Sequence, residues 1–197
     1  MKWIGITGGI GSGKSVVSNY IRSKNFAVVD ADHLAREALL PGSECVRQVT
    51  QAFGQKFLNH KGEIDRSALG SLVFSDPKAM SILEGIIHPY VRKRAQEERQ
   101  RLQKSGTPLA FYDVPLLFEK RMEKDFDAVI VVDCDLRTRI ERLQKRDRLP
   151  MKAIEDRIAS QHPLEEKVQK ASYVLNNNKD IKHLYNQIET LLLSLSS

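Results

Sequence analysis

From Gly8 to Ser15 the chain reads Gly-Gly-Ile-Gly-Ser-Gly-Lys-Ser, which satisfies G-x-x-x-x-G-K-[ST], the pattern of a phosphate-binding loop. The residue types account for the chemistry. Glycines let the backbone bend tightly and turn successive N–H groups toward an anion. Lys14 is the cation for the β- and γ-phosphates of a nucleoside triphosphate, and the Ser15 hydroxyl is an oxygen ligand for Mg²⁺. Gly9, Ile10, Gly11, Ser12, Gly13, Lys14, Ser15 and Val16 are therefore the candidate ATP-binding residues. A glycine-rich turn without function would share much of this pattern, so the flanking elements must decide.

Acids and arginines recur at places that suit phosphoryl transfer. Asp30 and Asp32 follow the apolar run from Phe26 to Val29. Asp113 follows Leu109-Ala110-Phe111-Tyr112, an apolar run ending in an acid, as in a Walker B element whose carboxylate helps to hold Mg²⁺. Arg139, Arg142 and Arg146 fall at i, i+3 and i+7, one stripe of a helix. Such a stripe is either a solvated face or a lid that neutralises the charge of a triphosphate. His88 precedes Pro89, and Arg92 lies one turn beyond it. A lone histidine at a helix boundary more often makes a local hydrogen bond than a ligand contact.

The elements that must carry these residues are legible. Trp3–Thr7 reads as a buried strand and Val16–Lys24 as a helix with Val17, Tyr20 and Ile21 on one face, the strand–loop–helix setting the motif requires. Further strands are expected at Phe26–Val29, Leu109–Val114, Ala128–Asp133 and Tyr173–Leu175. In open α/β sheets functional residues sit at the carboxyl ends of strands, which favours Asp30, Asp32 and Asp113. One of the first two acids could instead cap the helix expected over Asp32–Leu40. Helices are expected over Ser43–Phe53, Arg66–Phe74, Pro77–Ile87 and His88–Lys104, the last two separated by a break at His88-Pro89. Helices at Asp135–Arg146, across Arg148–Lys170 with breaks at Pro150 and Pro163, and at Asp180–Leu195 complete the chain.

The sequence thus predicts an α/β fold: a P-loop NTPase-type five-stranded parallel sheet flanked by helices. Residues 1–42, 106–138 and 171–197 would form the nucleotide-binding core, 43–105 a helical acceptor-binding insertion, and 139–170 a lid. Composition is compatible with this. The chain has 197 residues, 41% hydrophobic and 28% charged, with a formal net charge of +6. The excess is clustered: Arg137–Lys152 holds seven basic and two acidic residues, and Arg92–Lys104 six and two. Neither cluster interleaves aromatics, which argues against nucleic acid and for phosphate-rich small molecules. No apolar run approaches the ~18 residues of a membrane span. Cys45 and Cys134 form no metal or disulfide framework, and with no visible leader a cytoplasmic location is expected. No N-K-x-D base-reading motif of a GTPase is present. The pattern suits a small-molecule kinase in which a carboxylate activates an acceptor alcohol.

Several stretches go further. They are Gly5-Ile6-Thr7 leading into the loop, Asp30-Ala31-Asp32 with Ala35-Arg36, Ile64-Asp65-Arg66, Leu83-Glu84, and Ile87-His88-Pro89. They continue with Asp113-Val114-Pro115-Leu116-Leu117-Phe118-Glu119, Arg142 with Arg146-Asp147, and Arg157-Ile158 with Gln161. In these the chain resembles the dephospho-coenzyme A kinase family from end to end. The resemblance implies ATP-dependent phosphorylation of the ribose 3′-hydroxyl of dephospho-CoA, with ATP and dephospho-CoA as small-molecule partners and Mg²⁺ accompanying ATP. It implies Asp32 as general base, Lys14, Arg142 and Arg146 as further catalytic residues, and Ser15 and Asp113 as metal-side residues. It places Asp32, Arg36, His88, Arg92, Leu116 and Phe118 in the acceptor site and Asn177 near the adenine. A monomer or weak homo-oligomer without nucleic-acid or membrane partners is expected. The chain departs from the family pattern in the lid, where Arg146-Asp147-Arg148 stands for Arg-Asp-Gly. It departs again near the C-terminus, where Ser172, Asn176 and Lys179 stand for two acids and a glycine. Two other readings use the same loop: a kinase for a different alcohol, such as a nucleoside, and a non-enzymatic nucleotide-binding regulator.

Overall fold

The computed structural model describes residues 1–196. The chain divides into two compact units, Met1–Val29 with the chain from Leu102 onward, and Asp30–Arg101. Five strands, β1 (Lys2–Gly8), β2 (Ala27–Asp30), β3 (Leu109–Asp113), β4 (Ala128–Asp133) and β5 (Tyr173–Asn176), form a parallel sheet among the described residues, in the order β2-β3-β1-β4-β5. The order reverses at β1, which lies between β3 and β4. The carboxyl end of β1 therefore opens where the fold leaves a crevice. Register fixes what stands there: Ile6 pairs with Asp113 on one side, and Gly8 with Val132 on the other.

The central strands are near-continuous apolar runs because helices cover both faces. Helix α1 (Lys14–Ser23) contributes Val17 and Ile21 to a core with Ile4, Ile6, Phe111, Ile130 and Val132. The C-terminal helix, Ile181–Ser196, adds Leu184 and Ile188 to the same core. Each such side chain contributes roughly 1.5–3 kcal/mol by leaving water. Tyr20 of α1 stacks on Tyr185 of the last helix at a centroid distance of 3.8 Å. The helix that follows the P-loop is thereby anchored along its length.

The second unit is helical. It holds α2 (Ala31–Glu37), α3 (Glu44–Phe53), α4 (Arg66–Ser75) and most of α5 (Pro77–Lys104). Its own core joins Val46, Val49, Phe57, Ile64, Leu69 and Val73. Ser43 caps α3 by accepting from Val46 N–H at 3.1 Å, and Asp65 caps α4 through Ser67 and Ala68 N–H. Helices α2 and α5 are tied by Glu37, which accepts from Tyr90 Oη at 3.2 Å and Arg94 Nε at 3.3 Å. One expectation is overturned: no break occurs at His88-Pro89, and α5 runs through Pro89. Proline removes a single donor, whose partner would have been the Gly85 carbonyl. The helix holds on both sides of that loss because Met80, Leu83 and Ile86 pack on the unit's core while Tyr90 and Arg94 bind Glu37.

The first unit continues through α6 (Leu136–Asp147), α7 (Met151–Ala159) and α8 (Leu164–Gln169) to the last helix, α9. Helix α6 ends on Arg148 at φ 52°, ψ 33°, a left-handed C-cap. This is the position at which the family pattern has glycine. A Cβ in that conformation costs roughly 1–2 kcal/mol, and glycine is the usual solution. Arg148→Gly is expected to raise the thermal unfolding midpoint by about 2–4 °C, the equivalent of about 1 kcal/mol in a chain of this size. A scanning-calorimetry midpoint that falls on substitution would show that the arginine side chain contributes more than its backbone costs.

Candidate active site

The site is built around the backbone of the loop that joins β1 to α1. Gly11 and Gly13 have φ of 79° and 94°. Gly13 serves as the N-cap of α1 in the left-handed region, and a Cβ there would stand 2.2 Å from Asn177 Nδ2. Only glycine fits. Among the described residues the N–H groups of Gly11, Gly13, Lys14 and Ser15 have no acceptor within the chain. They are orphan donors at a helix N-terminus, which is the electrostatic condition for holding an anion. The Ser12 hydroxyl is buried there without a partner among the described residues.

Turning N–H groups to one side turns carbonyls to the other, and these are met by donors from distant elements. Arg139 Nε donates to Ile10 O at 3.0 Å. Arg142 Nη1 approaches Ser12 O at 3.3 Å and Gly11 O at 3.4 Å, and its Nη2 donates to Asn177 O at 3.1 Å. Asn177 Nδ2 donates to Ser12 O at 2.7 Å. Arg139 is only 5% exposed, and its guanidinium lies so close over Gly9 that a Cβ there would meet Cζ at 2.8 Å. Burial lowers the Arg139 value from that of an ordinary guanidinium, opposed by the acidic groups of Cys134, Glu165 and Asp133. Burial raises the Cys134 thiol above its ordinary value, with the Arg142 charge pulling the other way.

Asp113, at the end of β3, is buried and fully engaged. One carboxylate oxygen pairs with Lys14 Nζ and the other accepts from Ser18 Oγ at 2.6 Å. Thr7 Oγ1 donates to Pro115 O at 3.0 Å, which ties the residues after Asp113 back to β1. In the apolar loop that follows, Leu117 packs against Gly5 and Phe118 is 2% exposed, so both belong to the core, while Leu116 is half-buried. Phe118, expected at the acceptor, offers a ligand no surface in this conformation. Asn177, expected near the adenine, has its Nδ2 committed to the loop. Arg146 is exposed and pairs with Asp147 at 2.7 and 2.9 Å, and Arg157 approaches the same carboxylate at 3.4 Å.

The remaining expected residues lie in the second unit. Asp30 caps α2, its Oδ1 accepting from His33 N–H at 3.0 Å. Capping therefore falls to the first acid of the pair, and Asp32 stands exposed in the first turn. Arg36 is exposed one turn beyond Asp32, with its carbonyl held by Arg66 Nη2 at 2.9 Å. His88, half-buried, and Arg92, exposed, share a face of α5 at i, i+4.

Two connections escaped residue-by-residue reading. Ile10 N–H donates to Gln161 Oε1 at 2.8 Å, from the connector between α7 and α8. In the same connector His162 N–H donates to Glu119 Oε1 at 3.0 Å, and Lys167 Nζ, 1% exposed, stands 2.6 Å from that oxygen. The Lys167 approach is an ion pair, and among the described residues Glu119 Oε2 is buried with no hydrogen-bond partner. Glu119 and Gln161 both occur in the family-like stretches. Nothing in local spacing, however, marks Gln161 as a partner of the distant phosphate loop, or Glu119 as a partner of the connector that carries Gln161. A separate cavity of about 430 Å³ along β5 and α9, bordered by Tyr173, Val174, His183 and Asn186, holds none of the candidate site residues.

The chain is similar to known proteins. The family model described as dephospho-CoA kinase matches residues 2–183. The dephospho-CoA kinase of Bdellovibrio bacteriovorus is 45% identical over 192 residues, covering 98% of this chain and 95% of its own. That of Geobacter sulfurreducens is 42% identical and covers 97% of each chain. A solved dephospho-CoA kinase from Campylobacter jejuni superposes with a TM-score of 0.75 at 29% identity, covering 100% of this chain and 98% of its own. A shikimate kinase from Bacteroides thetaiotaomicron, at TM-score 0.55 and 12% identity over 100% and 99% of the two chains, shares the fold.

The Glu119–Lys167 pair makes a pH prediction. Burial pushes the Glu119 carboxyl up. The Lys167 ammonium and the N–H groups of Glu119 itself and His162 outweigh it and leave the carboxyl below its ordinary value of 4.5. The unfolded chain therefore binds this proton more readily than the folded one. The pair's stabilisation is full above about pH 4.5 and is lost as pH falls through the folded-state value. Glu119→Gln, which leaves a buried ammonium unpaired, should cost about 3 kcal/mol at pH 7. In urea unfolding across pH 3–7, the gap to the parent protein should close toward the acid end; a gap independent of pH would refute the assignment.

Proposed function

We propose the following reaction for this chain, which belongs to the dephospho-CoA kinase family: ATP phosphorylates the ribose 3′-hydroxyl of dephospho-CoA, giving coenzyme A and ADP, the last step of coenzyme A synthesis. The observation that carries it is the P-loop itself, whose orphan N–H groups sit beside a lysine held on the β3 carboxylate. In catalysis the Lys14 ammonium moves from Asp113 to the β- and γ-phosphates, where it neutralises charge spread over the oxygens of a loose transition state. Asp32 accepts the proton of the 3′-hydroxyl as the new O–P bond forms and the bond to the ADP oxygen breaks. An exposed carboxylate in a first helical turn needs no unusual basicity for this, because the proton transfers late. Arg142, seated on the loop carbonyls, and Arg146, paired with Asp147, add positive charge on the donor side.

Mg²⁺ fits the residues present. No cluster of three or more metal-binding side chains occurs among the described residues, but this ion is ordinarily held by one or two protein oxygens, water and substrate phosphates. Among the described residues the Ser15 hydroxyl is exposed and has no partner. Asp113, with both oxygens engaged by Lys14 and Ser18, suits a role through a water shell. When bound, the ion would offset the negative charge of the phosphates.

On the acceptor side, Arg36 and Arg92 offer cations and His88 a hydrogen-bonding imidazole to the phosphates of dephospho-CoA, and Leu116 offers the apolar surface while Phe118 supports it from the core. Asn177 acts on ATP through the loop it holds. Residues 139–170 serve as the lid and 43–105 as the acceptor-binding insertion. The enzyme works in the cytoplasm as a monomer or weak homo-oligomer, with no nucleic-acid or membrane partner; no helix of the described residues is long and apolar enough to cross a membrane.

The direct test measures ADP and coenzyme A formed from ATP·Mg²⁺ and dephospho-CoA, beside adenosine, uridine and no acceptor. Turnover confined to a nucleoside would discard the acceptor assignment and keep the kinase. Asp32→Asn should lower kcat by about 10²–10⁴-fold, the usual range for a general base, while ATP still binds. Unchanged turnover in that variant would remove Asp32 from the chemistry.

A further inference from the structure

Ile10 presents both of its backbone groups to side chains from the lid region. Its carbonyl accepts from Arg139 Nε at 3.0 Å, and its N–H donates to Gln161 Oε1 at 2.8 Å. The second contact fixes more than a distance. An N–H can only face the carboxamide oxygen, so the planar group is oriented with certainty and the Nε2 end is the one left over. Among the described residues no acceptor in the chain takes the Nε2 hydrogens. A neutral double donor is thus held beside the third residue of the phosphate loop.

The connector that carries it is gripped on its other flank. His162, the next residue, donates to Glu119 Oε1, and Lys167 pairs with the same carboxylate. Glu119 closes the run Pro115–Phe118, the loop that the proposed reaction assigns to the acceptor side. The connector thus joins the phosphate loop, through Gln161, to the Glu119 end of the acceptor loop, through His162. Resting on that reaction, we propose that Gln161 is a further phosphate-contacting residue, whose Nε2 donates to an oxygen of the γ-phosphate of ATP while Oε1 stays on Ile10 N–H. Its neutrality matters. It adds donors to a site already rich in cations without adding another charge that the resting protein would have to pair.

The variants Gln161→Ala and Gln161→Glu separate this role from that of a strut. Alanine removes both contacts. We expect kcat to fall roughly 10–100-fold, the effect of deleting one donor to a charged transition state, and the unfolding midpoint to fall by about 2–4 °C. Glutamate keeps an acceptor for Ile10 N–H, so its midpoint should stay near the parent's. Its carboxylate meets the phosphates, so it should turn over more slowly than alanine. In direct calorimetric binding, which needs no acceptor, both variants should lose affinity for ATP while ADP affinity stays at the parent value. A glutamate variant faster than alanine would show that only the strut matters and overturn the proposal. So would an alanine variant with the parent's kcat, or one that binds ATP more tightly, which would make Gln161 a latch that ATP must displace. Failure of the parent enzyme to form coenzyme A would refute the reaction, while the ATP-against-ADP comparison would still decide on Gln161.

Discussion

A loop that turns successive N–H groups toward an anion must turn its carbonyls into the protein, and buried carbonyls need donors. Part of the first unit's long-range polar structure answers that demand. The carbonyls of Ile10, Gly11 and Ser12 are met by Arg139, Arg142 and Asn177. Two of these donors come from α6 and one from the turn after β5. Each bond by itself has a net worth of about 1 kcal/mol, more where the donor is charged. Leaving any of the carbonyls buried and unpaired costs as much again. The loop is therefore pre-organised before nucleotide arrives, and the helix that bears the arginines is fixed as a consequence.

This arrangement gives the α6 arginines different duties. Arg139 is buried under the loop and positions it. Arg142 binds the same backbone, so its guanidinium has a fixed seat on the loop. Arg146, exposed and paired with Asp147, is the arginine whose position the loop does not dictate. The sequence reading put all three on one stripe, which is correct for the helix. It could not rank them, because their burial depends on where the loop lies, more than 120 residues earlier in the chain.

The fold was legible for local reasons. Glycine spacing and apolar strands of near-continuous character each act within a few residues. All five strands fall where the apolar runs place them, within a residue or two at their ends. What local reasoning mishandled was competition between local cost and distant gain. Pro89 reads as a helix break because its own cost is local. The packing and the Glu37 contacts that carry α5 through it come from α2 and the unit's core. The doubled acid shows the opposite case. Spacing alone left open which acid caps α2, and the strand's end at Asp30 decided it, since an N-cap must be the last extended residue.

The C-terminal departures from the family pattern show how chemistry can be conserved without the residue. Ser172 Oγ accepts from Val129 N–H at 3.0 Å, a bond that a carboxylate would also accept. Asn176 Nδ2 donates to Asp133 Oδ2 at 3.3 Å, and its Oδ1 accepts from Asn178 N–H. An acid at 176 would put two carboxylates side by side at the paired ends of β4 and β5, where Asp133 is in register with residue 176. The amide removes that repulsion and keeps an acceptor for the turn. Lys179 replaces a glycine, but it is not among the residues of positive φ, so no left-handed conformation penalises its side chain. Arg148 replaces a glycine where the backbone is left-handed. Of the two glycine replacements, then, only the one at the end of α6 carries a conformational cost. The turn that presents Asn177 to Ser12 is held by amide–carboxylate and amide–backbone bonds suited to the residues this chain has.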